Sequence, residues 1–187
     1  MEFAIFKEGG KNNTLEALRI AKRACEECNI SHMVVASTEG CTGIEAAKML
    51  KGSGITLVVI THNYGFKEPG VVEMSPEVRK EIESHGAMVY TGTMVLRNLG
   101  TAIREIQGYS QQDLVANTLR ILGQGMKVCV EMVAMAADAG LVPHERDVVA
   151  VAGTARGADT VTVVRAVPSN RLFEMKVRAV LAKPWEW

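Results

Sequence analysis

The stretch Ser37-Thr38-Glu39-Gly40-Cys41-Thr42-Gly43 decides how this chain is read. It follows Met33-Val34-Val35-Ala36, an apolar run suited to a buried strand, and precedes Ile44-Glu45-Ala46-Ala47-Lys48-Met49-Leu50, which has helical spacing. A strand that gives way to hydroxyl and glycine residues and then to a helix is the turn of an α/β unit. It is also a place where an anion can sit. The helix N-terminus leaves free N–H groups and a partial positive charge, glycine lets the backbone approach, and hydroxyls add donors. The same residues also suit a plain strand–helix turn capped by a hydroxyl.

Outward from this loop the pattern alternates. Gly52-Ser53-Gly54 closes the helix, and Ile55-Thr56-Leu57-Val58-Val59-Ile60 reads as a central strand. Thr61 to Met74 is a loop rich in Gly, Pro, Asn and aromatics, and Ser75-Pro76-Glu77 starts a helix with serine at the cap and proline in the first turn. Ala87-Met88-Val89-Tyr90 is the next strand, followed by a short helix around Leu99 to Ile106. Gln111 to Ala139 reads as one long helix whose apolar face holds Leu114, Leu119, Leu122, Met126, Val130 and Met135. Within it, Gly123 and Gly125 each cost about 1 kcal/mol and mark close packing to the sheet or to a second subunit. Asp147–Ala152 and Thr160–Val167 are strands, and a strand-like run from Phe173 to Leu181 precedes the tail Pro184-Trp185-Glu186-Trp187. Upstream, Phe3–Phe6 is a short strand. Asn13 and Glu16 form a capping-box pattern ahead of a helix from Thr14 to Glu27 that buries Leu15, Leu18, Ala21 and Cys25.

This order predicts one α/β domain over residues 1–187. Its architecture is a three-layer sandwich with a mostly parallel sheet and an antiparallel C-terminal edge. In such sheets ligands bind at the carboxyl ends of the strands. Four loops leave those ends: Ser37–Gly43, Thr61–Phe66 with His62, Asn63 and Tyr64, Gly92–Met94 with Thr93, and Gly153–Thr160 with Thr154, Arg156, Gly157, Ala158 and Asp159.

Composition excludes several classes of function. The 21 basic and 21 acidic residues cancel, so no broad field favours nucleic acid or an anionic membrane, and any anion site must be local. No apolar run approaches the ~20 residues that span a bilayer, and the charged start Met1–Lys7 lacks a signal-peptide layout. The four cysteines, Cys25, Cys28, Cys41 and Cys129, offer no second pair for a zinc site, and a reduced, cytoplasmic setting is expected. Cys25 and Cys28 have redox spacing, but acidic neighbours disfavour the thiolate. A homodimer is expected from the long helix and the tryptophan tail.

From about His32 to Pro168 the order of motifs resembles the C-terminal domain of pyruvate kinase. The pieces are Val34–Gly43, then Leu57-Val58-Val59-Ile60-Thr61-His62-Asn63, then Asp147–Thr154, and finally Thr160–Pro168. The whole chain looks like a small stand-alone family related to that domain and found mainly in archaea. Residues 1–31 and the region Gly92–Ser110 depart from the kinase pattern. The resemblance implies a three-layer α/β fold and a domain that is not catalytic in the kinases but binds a phosphorylated sugar effector in many of them. There the hydroxyl-rich loop takes a phosphate, matching Ser37, Thr38, Gly40, Thr42 and Gly43, and the glycine-rich loop covering the ligand matches Gly153 to Thr160. The kinase chemistry needs a barrel of ~250 residues, which does not fit in 187, so activity as a pyruvate kinase is not expected. The Thr-x-Gly-x-Thr spacing also resembles the phosphate loop of flavodoxins, which points to flavin mononucleotide (FMN).

Individual residues carry two readings each. Arg156 pairs with a phosphate or is a solvated loop arginine. Asp159 suits a ligand hydroxyl or braces its turn. Glu39 turns its side chain away from an anion while its N–H points in, or serves as a general base. Tyr64 or Phe66 offers a flat surface to a flavin, or the loop packs on its own aromatics. His62 shows no carboxylate partner in the sequence, and Cys41 occupies a variable slot of the loop. The leading expectation is a site for a phosphorylated small molecule, FMN first, with a flavin-dependent redox role open. The alternative is a non-catalytic sugar-phosphate-binding or regulatory module. Whether the chain is an enzyme is left undecided.

Overall fold

Continuous Val/Ile/Ala runs buried on both faces need a helix layer on each side, and the chain supplies both. The computed structural model describes residues 3–187; Met1 and Glu2, part of the charged start, lie outside the described residues. Seven strands form one sheet in the order β1 (Ala4–Glu8), β7 (Lys176–Glu186), β6 (Thr160–Arg165), β5 (Asp147–Ala152), β2 (His32–Ala36), β3 (Thr56–Ile60), β4 (Met88–Tyr90). Only β6 runs against its neighbours, and all other pairings are parallel. The expected α/β sandwich with a mostly parallel sheet is the observed fold. The antiparallel hairpin is not the last pair, however, because β1 adds outside β7 with Ala4 opposite Ala182 and Phe6 opposite Pro184.

Alternation along each strand sorts the core into two halves. Met33, Val35, Leu57, Val59, Val149 and Val151 face α1 (Thr14–Glu27), α2 (Cys41–Leu50) and α3 (Pro76–Ser84). Val34, Val58, Val148 and Ala150 face α6 (Gln124–Asp138), through Cys129, Met132, Val133 and Ala136. Ser75 caps α3 by accepting from the Val78 N–H at 3.3 Å, as its sequence predicts.

Several local expectations are corrected. The long helix is two, α5 (Gln111–Arg120) and α6, parted at Gly123, which has φ 119°. Leu114 and Leu122 are exposed, while α6 buries Met126, Val130 and Met135. Leu15 is exposed too, whereas Leu18, Ala21 and Cys25 are buried. Asn13 donates its side-chain amide to the Glu8 carbonyl at 2.8 Å and Glu16 pairs with Arg19, so no capping box forms. Phe173 lies in a 3-10 turn, and the Pro-Trp tail continues β7. The helix expected around Leu99 is α4 (Asn98–Gln107).

Gly125 keeps its sheet-packing role. A Cβ there would overlap Oγ1 and Cβ of Thr160 on β6, so α6 packs closely on the Thr160 side chain. The same helix buries an ion pair, Lys127 with Glu131, each side chain 2% exposed. Burial pulls the Lys127 pKa down while Glu131 opposes that shift, and Glu131 also accepts from the Leu96 N–H at 2.8 Å, pinning the start of α4. Among the described residues no helix is long and apolar enough to cross a membrane.

Gly125→Val would place a branched side chain where no space exists. We expect a loss of about 2–3 kcal/mol, the range of core overpacking, read as a lower urea midpoint with an unchanged slope. An equal or higher midpoint would show that α6 does not pack on Thr160 as described.

Candidate functional site

Strands β2, β3, β4 and β5 are parallel and in register, with Ala36 beside Ile60 and Ile60 beside Tyr90. Their carboxyl ends are therefore level, and the four expected loops open on one end of the sheet. The β2–α2 loop is held from below: Ser37 N–H donates to the Ile60 carbonyl at 2.9 Å, and Ser37 Oγ accepts from the Gly43 N–H at 3.0 Å. Gly40 has φ 104°, and a Cβ on it would collide with Val78 of α3. Packing alone therefore requires glycine there. The N–H groups of Glu39, Gly40 and Cys41 find no acceptor among the described residues, as the start of a helix leaves its first donors unpaired. These three consecutive amides stand at the positive end of α2 and make it a candidate anion cradle.

Charged and hydroxyl side chains surround the cradle. Thr38 Oγ1 lies 3.4 Å from His62 Nε2, and His62 Nδ1 lies 2.7 Å from Glu73 Oε2. This carboxylate partner, eleven residues along an irregular loop, was missed in the sequence. Lys67 pairs with Glu73 at 2.6 Å and stands 3.8 Å from Glu39. Burial pushes the Glu73 carboxyl up, but the hydrogen bonds from Lys67 and His62 outweigh it and the net shift is downward. Glu39 reaches across to Arg156 at 3.4 Å, so the first and fourth loops meet through an exposed ion pair. Phe66 stacks on His62 with centroids 3.7 Å apart, and Arg97 stands 4.1 Å over the same ring, so both faces are covered. Tyr64 is exposed.

Other expected site residues are committed to the protein. Asp159 is fully buried; its carboxylate accepts from Gly10 N–H at 2.8 Å, Thr154 N–H at 2.9 Å and the Thr160 hydroxyl at 2.7 Å. It braces the turn, the second of its two readings. Ala158 and Thr160 are buried, Gly157 packs on Lys11, and Gly153 packs on the Gly157 carbonyl. Thr61 spends its hydroxyl on the His62 carbonyl and on Thr91, and Asn63 donates its side-chain amide to the Tyr64 carbonyl. Thr42 is buried, Gly92 is half-buried against Tyr90, and Thr93 is exposed. Thr154 Oγ1 is buried without a partner among the described residues. It borders a cleft of about 480 Å³ that also takes in Gly9, Lys11, Arg156 and Trp187. No local pattern brings the Gly9-Gly10 turn to this end of the sheet, because β1 reaches it only by pairing with β7.

The thiols play no part in the cradle beyond Cys41, which is exposed. Burial first, then Cys28 and Glu26, push the Cys25 thiol up to about 12, so Cys25 does not hold a reactive thiolate. Among the described residues no cluster of His, Cys, Asp or Glu could hold a metal ion.

A family model described as the pyruvate kinase alpha/beta domain matches residues 16–164. Among solved structures, a pyruvate kinase from Cryptosporidium parvum is 14% identical, aligned over 82% of this chain and 22% of its own, at a TM-score of 0.45. The same organism's enzyme in complex with ADP is 15% identical over 82% and 23%, at 0.44. A hydrogen sulfide-producing enzyme from Fusobacterium nucleatum is 18% identical over 53% and 30%, at 0.34. The chain thus spans less than a quarter of the length of the kinases it matches.

The depressed Glu73 pKa fixes a pH dependence. The unfolded chain takes up the proton first, so the stabilisation is fully present above the ordinary carboxylate pKa and is lost as pH falls through the lower native value. Between about pH 5 and pH 3, Glu73→Gln should lose stability less steeply than the parent in urea denaturation. Parallel curves would show that Glu73 is not held by Lys67 and His62.

Proposed function

The chain belongs to the pyruvate kinase alpha/beta-domain family, and from that premise we propose that it binds a phosphorylated small molecule, FMN first, at the carboxyl ends of its parallel strands. The observation that carries this reading is the run of unpaired amides at Glu39, Gly40 and Cys41, with Thr38, His62 and Arg156 beside it. A phosphate there accepts from the amides and the Thr38 hydroxyl, and displaces Glu39 from Arg156. Exposed ion pairs are worth only ~0.2–1 kcal/mol, so a dianion with several donors can open this one. The cleft bordered by Thr154, Lys11 and Trp187 shares Arg156 with the cradle and receives the rest of the ligand. Bound flavin would supply redox chemistry of its own; the protein's part is to hold and orient it.

One observation favours the alternative, a sugar-phosphate-binding or regulatory module without turnover. Phe66 is covered on both faces and Tyr64 stands out in solvent, so neither forms a ready flavin platform. A reducing, cytoplasmic setting belongs to the same proposal and is supported by the buried, unbridged thiols of Cys25 and Cys129. So does a homodimer, for which the exposed Ile121 and Leu122 and the exposed Trp185 are the surfaces to test. No nucleic acid or membrane partner is part of it.

Protein that is yellow, absorbing near ~450 nm and releasing a fluorescent compound on denaturation, would support the flavin reading. Colourless protein whose melting temperature rises with sugar phosphates but not with FMN would replace it with the alternative. Cys41→Asp separates binding from folding. A carboxylate in the first turn suits the helix dipole by ~0.3–1 kcal/mol but repels phosphate, so the variant should melt within a few degrees of the parent and bind FMN at least tenfold more weakly. Unchanged affinity would mean the cradle is not the site.

A further inference from the structure

A second concave surface lies between α4 and α5, joined to the Phe66 loop through Arg97. It encloses about 500 Å³, and its lining includes Arg97, Arg104, Arg120, Asp113, Tyr109 and Asn117. That volume is within the range of small-molecule sites. The charges are unequal. Arg104 is neutralised by Asp113 at 2.9 Å, and Asp113 is also engaged by Ser110. Arg97 and Arg120 have no carboxylate partner among the described residues: Arg97 rests on the Phe66 ring, and Arg120 donates only to the amide oxygens of Gln124 and Asn117, each at 2.8 Å. The one buried carboxylate nearby, Glu131, is spent on Lys127 and the Leu96 N–H. Arg97 and Arg120 both act on Lys127, disfavouring its charged form, so the three positive groups share one neighbourhood.

The surroundings hold these groups in place. Glu131 anchors the backbone just before Arg97. Gly100 of α4 lies so close to Gln112 and Ser110 that a Cβ would clash, which fixes the α4–α5 corner. Arg120 takes the Asn117 oxygen and so leaves the Asn117 NH₂ free to donate. Two uncompensated guanidiniums, an amide NH₂ and the Tyr109 hydroxyl thus line a single groove.

We propose that this groove is a second anion site, and that its ligand is a small phosphate monoester. Guanidinium pairs bind phosphate oxygens in a bidentate manner, and a tetrahedral dianion can use the amide and the hydroxyl at the same time. Each carboxylate group of a dicarboxylate is planar and offers two oxygens, so it can use fewer of these donors at once than a phosphate. Arg97 touches the Phe66 ring of the second strand-end loop, but no lining residue belongs to the amide run at Glu39–Cys41, so the two sites are tested by separate variants.

The test is calorimetric titration of the full chain with glycerol 3-phosphate at low ionic strength, with succinate as the competing chemistry. Binding should persist in Cys41→Asp, where the cradle is blocked. Adding Arg97→Gln and Arg120→Gln to that background should weaken it at least tenfold, while Arg120→Gln alone should leave FMN affinity within twofold of the parent. Loss of all glycerol 3-phosphate binding in Cys41→Asp would overturn the proposal. So would retention in the double arginine variant, or succinate binding as tightly as the phosphate. If circular dichroism shows the arginine variants to be misfolded, Asn117→Asp carries the same test, because a carboxylate at that exposed position neutralises Arg120. Protein that ignores FMN yet takes glycerol 3-phosphate in an Arg120-dependent way would refute the flavin reading and keep this one.

Discussion

Parallel, in-register pairing of β2, β3, β4 and β5 is the constraint from which the arrangement of the strand-end loops follows. β2, β3 and β5 each present buried residues to both helix layers, and β4 presents Val89 to one and half-buried Tyr90 to the other, so a slip of one residue would reverse every side chain between the two cores. The register is therefore rigid, and with it the height at which each chain segment leaves the sheet. Thr38 and His62, 24 positions apart, meet because Ala36 and Ile60 are neighbours. Glu39 and Arg156, 117 positions apart, meet because β2 also borders β5.

Charge is used in two different ways around this frame. Buried charges pin segments that have no regular structure to hold them. Asp159 ties the Gly10 turn, the Thr154 loop and the start of β6 together, and Lys127–Glu131 fixes Leu96 ahead of α4. Breaking such groups is costly because the remaining partner is left unsatisfied away from water. Exposed charges are instead exchangeable. Arg156, Lys67 and Glu39 form weak solvated pairs next to unpaired amides, an arrangement in which a ligand can replace a protein carboxylate at little expense.

The legible parts of the chain were those with a strong local period. The β2 loop, β3, β5 and β6 stand where their apolar runs place them, and the loop's hydroxyl and glycine residues cap and pack α2 as expected of a strand–helix turn. Other features left no such trace. Gly123 in an apolar run has the same signature whether it sits within a helix or between two, and only its φ of 119° separates α5 from α6. Lys127 and Glu131 have the spacing of a solvent-exposed helical pair, yet α6 is buried nearly all round. Glu73 lies in a loop with no period at all, so its contact with His62 could not be read from spacing.

By itself the sequence determined the α/β class, the mostly parallel sheet and the strand–helix loop at Ser37–Gly43, because burial and turn chemistry act between residues close in the chain. Tertiary structure decided which loop residues remain open to solvent. It committed Asp159, Ala158 and Thr160 to the interior, gave His62 its carboxylate and Arg156 its partner, and brought the Gly9-Gly10 turn to the site. The reason is physical: a side chain's exposure and its charge partners depend on which distant segments arrive beside it, and that is set by sheet order and register.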